Sequence, residues 1–260
     1  GLVERLFISK QGHKDILYQI GSYQIWLPPS HKLPEYQKRY KNYDKKLKNI
    51  LQSNDSSEFD DYIIDIGANV GDTAALIRSF TSSRIVCIEG DDFYLTYLKK
   101  NALIIPNLII VESYVKGLDE IEYAKVIRSK GTGQIILTET KILNESIKLK
   151  TLEEILNTNF LKPCNIKLIK SDTDGFDFKI LLGNKKLIEL YKPSLFFEYA
   201  IYFNLNDYDD SIKLICFLES IGYVFIIYDN FGNLLDFVTT NCVSKFKRLN
   251  DYLRSCKAYG

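Results

Sequence analysis

The segment Tyr62–Thr73 reads Tyr-Ile-Ile-Asp-Ile-Gly-Ala-Asn-Val-Gly-Asp-Thr and is the most informative part of this chain. A short apolar run that ends in a glycine-rich turn and continues with a helical pattern is typical of the strand–turn–helix opening of a nucleotide-binding βαβ unit. Gly67 would let the chain turn sharply and let a ligand approach bare backbone. Asp72 and Thr73 stand where the helix would begin.

Asp65 and the spacing of the two glycines indicate which ligand this turn binds. A pyrophosphate-binding turn usually reads Gly-x-Gly-x-x-Gly after purely apolar residues, whereas here a carboxylate comes first and the glycines are four residues apart. An acid at this point suits a ligand with a cationic amino group, such as S-adenosylmethionine, which also carries a positive sulfonium. The residues of this segment that we expect to bind the cofactor are Asp65, Gly67, Ala68, Asn69, Gly71, Asp72 and Thr73.

A second predicted strand, Arg84–Glu89, also ends in an acid and is followed by Gly90 and Asp91. An acid in this place can hold a ribose diol, in NAD sites and in S-adenosylmethionine sites alike. We therefore add Glu89, Gly90 and Asp91 to the expected cofactor residues. Asp65 and the glycine spacing favour S-adenosylmethionine; an NAD-dependent oxidoreductase, or a parallel-sheet turn that binds no ligand, are the alternatives.

Composition limits the class of protein. A chain of 260 residues with 46% hydrophobic and 26% charged residues is typical of a globular α/β domain, and its net charge of +1 gives no general attraction for nucleic acid or an anionic membrane. No apolar run approaches the ~18 residues of a membrane span, and no signal-peptide pattern opens the chain. Five cysteines without a C-x-x-C pair argue for a reducing compartment and against zinc. We expect a cytoplasmic protein without a transmembrane segment and without a nucleic-acid partner, whose oligomeric state is not indicated.

Two domains are expected: an N-terminal extension over residues 1–58 and the cofactor-binding domain over residues 59–260. Alternation over Leu2–Leu27 predicts a β-hairpin, and helical spacing over Glu35–Leu51 predicts one helix. His31 lies between them and could reach over a cleft as a residue of a lid. A structural role for a histidine beside prolines is the alternative reading.

Strands and helices alternate through the rest of the chain. The predicted helices are Thr73–Phe80, Phe93–Asn101, Leu118–Arg128, Thr151–Leu156 and Asp207–Ile221. Further strands are predicted at Leu108–Glu112, Gln134–Thr138, from Ile166 to the acid Asp172, and at Ser194–Glu198, with a last hairpin of Val224–Tyr228 and Leu234–Val238. This order predicts an α/β fold with a doubly wound, mostly parallel seven-stranded sheet and an antiparallel C-terminal hairpin.

Acids gather where the fourth and fifth strands of this sheet end. Because ligands of open α/β sheets lie outside the carboxyl ends of the strands, we expect Asp172 and Glu198 to lie beside the methyl group of a bound S-adenosylmethionine. Asp172, also expected to contact the cofactor, is predicted to be the general base or the acceptor that orients a hydroxyl. Lys170 shares its strand face and could fix its carboxylate. Two alternatives stay open: Asp172 and Asp174 cap the next helix, or Asp172, Asp174 and Glu198 bind a divalent metal such as Mg²⁺, although we expect no metal.

Four segments together resemble the FkbM family of S-adenosylmethionine-dependent methyltransferases. They are Asp65–Asp72, Ile88–Glu89, Lys148–Leu152 and Ile169–Asp177, the last reading Ile-Lys-Ser-Asp-Thr-Asp-Gly-Phe-Asp. The resemblance implies a class I methyltransferase (Rossmann-like) fold and O-methylation of a sugar, a glycan or a polyketide-type small molecule. The chain departs from the family pattern at Gly90, where Pro is common, at Ser171, where an apolar residue is usual, and at Asp174, where many members carry Glu. A nucleic-acid or other N-methyltransferase is the alternative function.

Overall fold

The computed structural model describes residues 14–40, 46–52, 61–118, 123–129, 132–138, 147–159, 161, 165–201, 206–229 and 231–257. Its strands are β1 (Ile16–Ile20), β2 (Tyr23–Leu27), β3 (Asp61–Ile66), β4 (Arg84–Glu89), β5 (Leu108–Glu112), β6 (Tyr114–Val115), β7 (Tyr123–Ser129), β8 (Thr132–Thr138), β9 (Ile147–Lys150), β10 (Asn165–Ser171), β11 (Ser194–Phe197), β12 (Phe225–Tyr228) and β13 (Leu234–Val238). Its helices are α1 (Leu33–Arg39), α2 (Lys46–Gln52), α3 (Asp72–Arg78), α4 (Asp92–Ala102), α5 (Leu152–Thr158), α6 (Asp177–Gly183), α7 (Lys185–Tyr191), α8 (Asp207–Ser220) and α9 (Cys242–Lys257).

The central sheet has five parallel strands in the order β11-β10-β3-β4-β5. Every residue of β3 is buried, as expected of a strand with neighbours on both sides and helices on both faces. Its register sets Asp65 opposite Lys170 on one neighbour and opposite Cys87 on the other. Because all five strands run the same way, their carboxyl ends lie at one edge of the sheet, where a ligand site is expected.

The prediction of seven strands in this sheet is wrong. Five strands are present, and the C-terminal hairpin of β12 and β13, which was predicted, pairs only with itself in the described part of the chain. Four of the five residues of β13 are exposed, so this strand is not an inner member of a larger sheet. A separate four-stranded sheet, in the order β6-β9-β7-β8, was not predicted. Alternation along a segment reveals a strand but not its partner.

Two helix predictions also need correction, and two helices were missed. Leu118–Arg128 was predicted as a helix, but Tyr123–Ser129 forms β7, which pairs antiparallel with β8 and β9. The single helix over Glu35–Leu51 is described as α1 and α2, because Tyr40, with φ −116° and ψ 89°, has left the helical region; residues 41–45 lie outside the described residues. Helices α7 and α9 were not predicted. A capping box of Thr151 and Glu154 is present at the start of α5.

One buried side chain, Asn101, contributes three hydrogen bonds between the N-terminal hairpin, the turn after β3 and α4. Trp26 N donates to Asn101 Oδ1 at 2.7 Å, and Asn101 Nδ2 lies 2.9 Å from Trp26 O and 2.8 Å from Val70 O. Asn101 is fully buried, so these bonds satisfy polar groups that water does not reach. They hold β2 and the turn after β3 against α4, which brings the segment after β2 close to the glycine turn. None of the helices in the described ranges is long and apolar enough to cross a membrane.

Candidate active site

The turn after β3 has a backbone that few residue types could adopt. Gly67, Asn69 and Gly71 all have positive φ, at 72°, 50° and 86°. A Cβ on Gly67 would lie 2.3 Å from the carbonyl oxygen of Asp172, which belongs to the end of the neighbouring strand. Only glycine therefore lets β3 and β10 end so close together.

The amides of this turn are already used within the protein. Gly67 N and Ala68 N both donate to Ile88 O, at 3.0 and 3.1 Å, and Asn69 N donates to Glu89 Oε2 at 2.7 Å. A pyrophosphate site instead needs an array of amides that point at the ligand. The turn is therefore not built like a dinucleotide phosphate loop, which agrees with the inference from the glycine spacing.

Glu89 joins two loops at the carboxyl edge of the sheet. Besides the bond from Asn69, its Oε1 accepts from Gly90 N at 2.9 Å and from Asp91 N at 2.8 Å. Burial raises the pKa of Glu89, and the three backbone hydrogen bonds oppose that rise. An ionised carboxylate has about four acceptor positions, so about one is left for a ligand hydroxyl. The carboxylate that the sequence predicts to hold a ribose diol therefore keeps about one free acceptor position for it.

A cleft opens above the ends of β3, β4, β5 and β10. The space between protein atoms there is about 930 Å³, part of which is open solvent. The expected cofactor residues that line it are Gly67, Asn69, Glu89, Gly90, Asp91 and Asp172. The gathering of six such residues around one cleft fits a nucleoside-bearing donor.

Other expected cofactor residues lie outside the lining of the cleft. Ala68, Gly71, Asp72 and Thr73 form the rest of the turn and the start of α3. Asp65 is completely buried, and its Oδ1 lies 3.2 Å from Lys170 Nζ in an ion pair. Burial raises the pKa of Asp65 to about 6, against the lowering effect of the Lys170 charge.

Lys170 lies between the two acids of the predicted site. Its Nζ is 3.2 Å from Asp65 and 3.6 Å from Asp172 Oδ2, and only 5% of its side chain is exposed. The Asp172 side chain, by contrast, is 50% exposed and lines the cleft. One buried cation thus links the first strand of the site to the carboxylate that faces the open space.

Further carboxylates surround Asp172. Asp177 is buried and accepts from Ser171 Oγ at 2.5 Å, which gives a partner to the serine that departs from the family pattern. Partial desolvation and then the charges of Asp172, Asp177 and Asp174 raise the pKa of Glu198 to about 7. Glu198 is exposed and is not among the lining residues, but these charges act on it.

Two alternative roles for the acids near the end of β10, helix capping and metal binding, can be compared with the structure. Helix α6 has Phe176 at its N-cap position, so neither Asp172 nor Asp174 occupies the place of a capping residue. The structure contains no group of three or more His, Cys, Asp or Glu side chains arranged to hold a metal ion, as far as the described residues extend.

Part of the cleft was missed by the sequence analysis. Tyr94, Ser113, Tyr114, Leu149 and Lys179 also line it. Ser113 directly follows β5, so the rule that ligands lie beyond strand ends could have found it. Tyr114 is packed against Gly90, where an added Cβ would lie 2.4 Å from the ring. No local pattern could have shown this contact, because it depends on how β4 and β6 meet.

The sheet, the turn and the cleft define a class I methyltransferase-like α/β enzyme. A family model described as the methyltransferase FkbM domain matches residues 65–256. The chain therefore belongs to the FkbM methyltransferase family and is an S-adenosylmethionine-dependent methyltransferase, as the sequence resemblance predicted. No curated protein sequence matches the chain.

Solved structures of methyltransferases are similar to the chain at low identity. A precorrin-6y C5,15-methyltransferase from Geobacter metallireducens GS-15 is 16% identical over 70% of this chain and 73% of its own, with a TM-score of 0.37. A methyltransferase from Aquifex aeolicus is 10% identical over 77% and 93%, with a TM-score of 0.38. The plantazolicin methyltransferase BamL, solved with S-adenosylhomocysteine, is 12% identical over 89% and 84%, with a TM-score of 0.41. Similarities of this size carry no information about the acceptor.

Proposed function

We propose that this enzyme transfers a methyl group from S-adenosylmethionine to a hydroxyl of a sugar, a glycan or a related small molecule. The observation that carries the proposal is the carboxylate of Asp172, which lines the cleft, is half exposed and has the Lys170 cation 3.6 Å away. A sugar hydroxyl is a weak nucleophile until its proton is removed, so a positioned base is needed. An uncharged amine has no such need, and the acid therefore favours an oxygen acceptor.

The donor is proposed to bind in the cleft at the expected cofactor residues. S-adenosylmethionine supplies an electrophilic methyl group on a sulfonium. Gly67 provides bare backbone and Asn69 a side-chain amide at the wall of the cleft, while Glu89 keeps about one acceptor position for a hydroxyl. Asp65 is proposed to add negative charge close behind this wall. The ion pair with Lys170 partly neutralises the charge of Asp65.

Asp172 is proposed to take the proton of the acceptor hydroxyl. Lys170 restricts the position of this carboxylate, because the buried ammonium is also held by Asp65. Glu198, with its pKa raised to about 7, is proposed to receive or relay the proton once it has left the acceptor. Alignment of the hydroxyl with the methyl group supplies most of the remaining acceleration.

We also propose the division of the chain into an extension over residues 1–58 and a methyltransferase domain over residues 59–260. The family match begins at residue 65, which supports a boundary near this point. The described part of the extension packs on the helices behind the glycine turn, through Asn101.

A paired acceptor panel tests the function. Methyl glycosides and their amino-sugar analogues, in which one hydroxyl is replaced by an amine, are incubated with the enzyme and S-adenosylmethionine. Formation of S-adenosylhomocysteine and the mass of the acceptor are then measured. We expect methyl ethers from the glycosides. Methylation confined to the amino analogues, or to an oligonucleotide added in parallel, would contradict an oxygen acceptor of the sugar class.

A further inference from the structure

One side chain of the N-terminal extension touches the wall of the cleft. His31 closes a turn in which its N donates to Pro28 O at 3.0 Å. Its Nε2 lies 3.3 Å from Oδ1 of Asn69, a residue 38 positions away that lines the cleft. A residue that precedes the family-matched region of residues 65–256 therefore contacts the proposed donor site.

The hydrogen bonds of His31 define its tautomer. The backbone N–H of Leu33 can only donate, and it lies 3.2 Å from His31 Nδ1, so Nδ1 is the acceptor. In a neutral ring the hydrogen is then on Nε2, which donates to Asn69. Since the amide of Asn69 has one acceptor atom, Oδ1 faces His31 and Nδ2 is turned away from it.

Asn69 is held from two directions. Its backbone N–H donates to Glu89, and its side-chain oxygen accepts from His31. Its φ of 50° lies in the left-handed region, which Asn tolerates better than most residues. The structure gives Nδ2 no acceptor within the ranges that it describes, so a residue that lines the cleft keeps an unused hydrogen-bond donor.

We propose that His31 is a positioning residue of the donor site. In its Nε2–H tautomer it orients the Asn69 amide so that Nδ2 donates to an oxygen of the bound donor. The carboxylate of the methionine part is the strongest acceptor that this molecule offers. The inference rests on the proposed binding of S-adenosylmethionine in the cleft, and it makes part of the affinity depend on the extension.

The tautomer can be measured without any donor. The chain has two histidines, His13 and His31, so a long-range ¹H–¹⁵N spectrum of the imidazoles at neutral pH is simple, and the His13→Gln variant assigns it. We expect nitrogen shifts that place the hydrogen on Nε2 and not on Nδ1, and a change of these shifts in Asn69→Ala. Hydrogen on Nδ1, or a spectrum of His31 that is unaffected by Asn69→Ala, would overturn the inference and leave the proposed function standing.

Binding of S-adenosylhomocysteine, measured by calorimetry, tests the consequence. His31→Ala and His31→Phe should bind about five- to ten-fold more weakly, the size of one neutral hydrogen bond, while His31→Gln, which can donate and accept, should recover most of the loss. Asn69→Asp keeps the shape but replaces the donor by an acceptor, so it should lose more than His31→Ala. A merely structural histidine would instead lower the melting temperature and leave the dissociation constant within two-fold. If Glu89→Ala does weaken binding, that result contradicts only the inference about His31. A parent protein that does not bind S-adenosylhomocysteine would contradict the proposed function as well.

Discussion

Replacing Glu89 by glutamine tests the loop geometry on which the cleft depends. The carboxylate accepts three backbone hydrogen bonds, from Asn69, Gly90 and Asp91, at 2.7–2.9 Å. The side-chain oxygen of the glutamine could still accept the two hydrogen bonds from Gly90 N and Asp91 N. Its NH₂ group would then face the N–H of Asn69, and two donors cannot bond to each other.

The expected loss of stability follows from the number of hydrogen bonds that the substitution breaks. One hydrogen bond to a charged group is lost, worth ~1.5–3 kcal/mol, and removing a carboxylate whose pKa is raised by burial returns part of it. We expect a net loss of about 2 kcal/mol in the free energy of unfolding, or ~4–8 °C in melting temperature for a chain of this size. Weaker binding of S-adenosylhomocysteine should accompany it, because Asn69 is no longer held.

The chain offers a matched control at the end of the next strand. Glu112 lies opposite Glu89 in the register of β4 and β5. It pairs with Lys99 at 2.7 Å, but both side chains are more than half exposed, at 58% and 53%. Glu112→Gln should therefore cost about 0–1 kcal/mol. The assay is thermal and urea unfolding of the parent and both variants; equal losses in the two variants, or no loss in Glu89→Gln, would refute the assigned role of Glu89.

Three further predictions address the charges of the site. Asp65→Ala should weaken the binding of S-adenosylhomocysteine in calorimetry by less than the ~1.5–3 kcal/mol of a direct charge-assisted contact, because Asp65 lies behind the wall of the cleft and is paired with Lys170; parental affinity would remove it from the site. Burial raises the pKa of Asp177 from 3.8 to about 6, so the folded state holds this proton more tightly, and the stabilisation present below pH 4 is lost as the pH rises through 6. In urea unfolding, the free energy of unfolding of the parent should therefore fall by ~2–3 kcal/mol relative to that of Asp177→Asn between pH 4 and pH 7. Parallel pH curves for the two proteins would show that the pKa of Asp177 is not raised. Turnover on an identified acceptor should survive excess EDTA; its loss, with recovery on adding Mg²⁺, would favour a metal held by Asp172, Asp174 and Glu198.

The core of the fold could be predicted because its signals are local. Tyr62–Thr73 contains the strand, the turn and the helix start of one βαβ unit, and apolar strands that end in acids recur at Glu89 and Asp172. Those patterns placed β3, β4, β5 and β10 correctly. The number of strands in the sheet could not be predicted in this way, since pairing is decided by contacts between distant segments.

The same distinction between local signals and distant contacts applies to the residues of the site. Gly67, Asn69 and Glu89 could be found because each stands at a fixed distance from the end of a strand. The partners of these groups could not, because the bonds from Asn69 N to Glu89 and from His31 to Asn69 connect residues 20 and 38 positions apart. The departure at Ser171 was visible in the sequence, but its hydrogen bond to Asp177 required the structure.

The proposed base can be tested most directly by comparing two isosteric variants two residues apart. Both residues line the cleft, but Asp172 lies 3.6 Å from Lys170, whereas Asp174, with φ 49°, occupies a left-handed position that asparagine adopts equally well. Turnover of the acceptor and the dissociation constant of S-adenosylhomocysteine are measured for the parent, Asp172→Asn and Asp174→Asn. If Asp172 takes the proton, turnover of Asp172→Asn falls by about 10²-fold or more, with donor binding close to parental and Asp174→Asn nearly as active as the parent. Equal and mild losses in both variants, or a large loss only in Asp174→Asn, would contradict the assignment of Asp172 as the base.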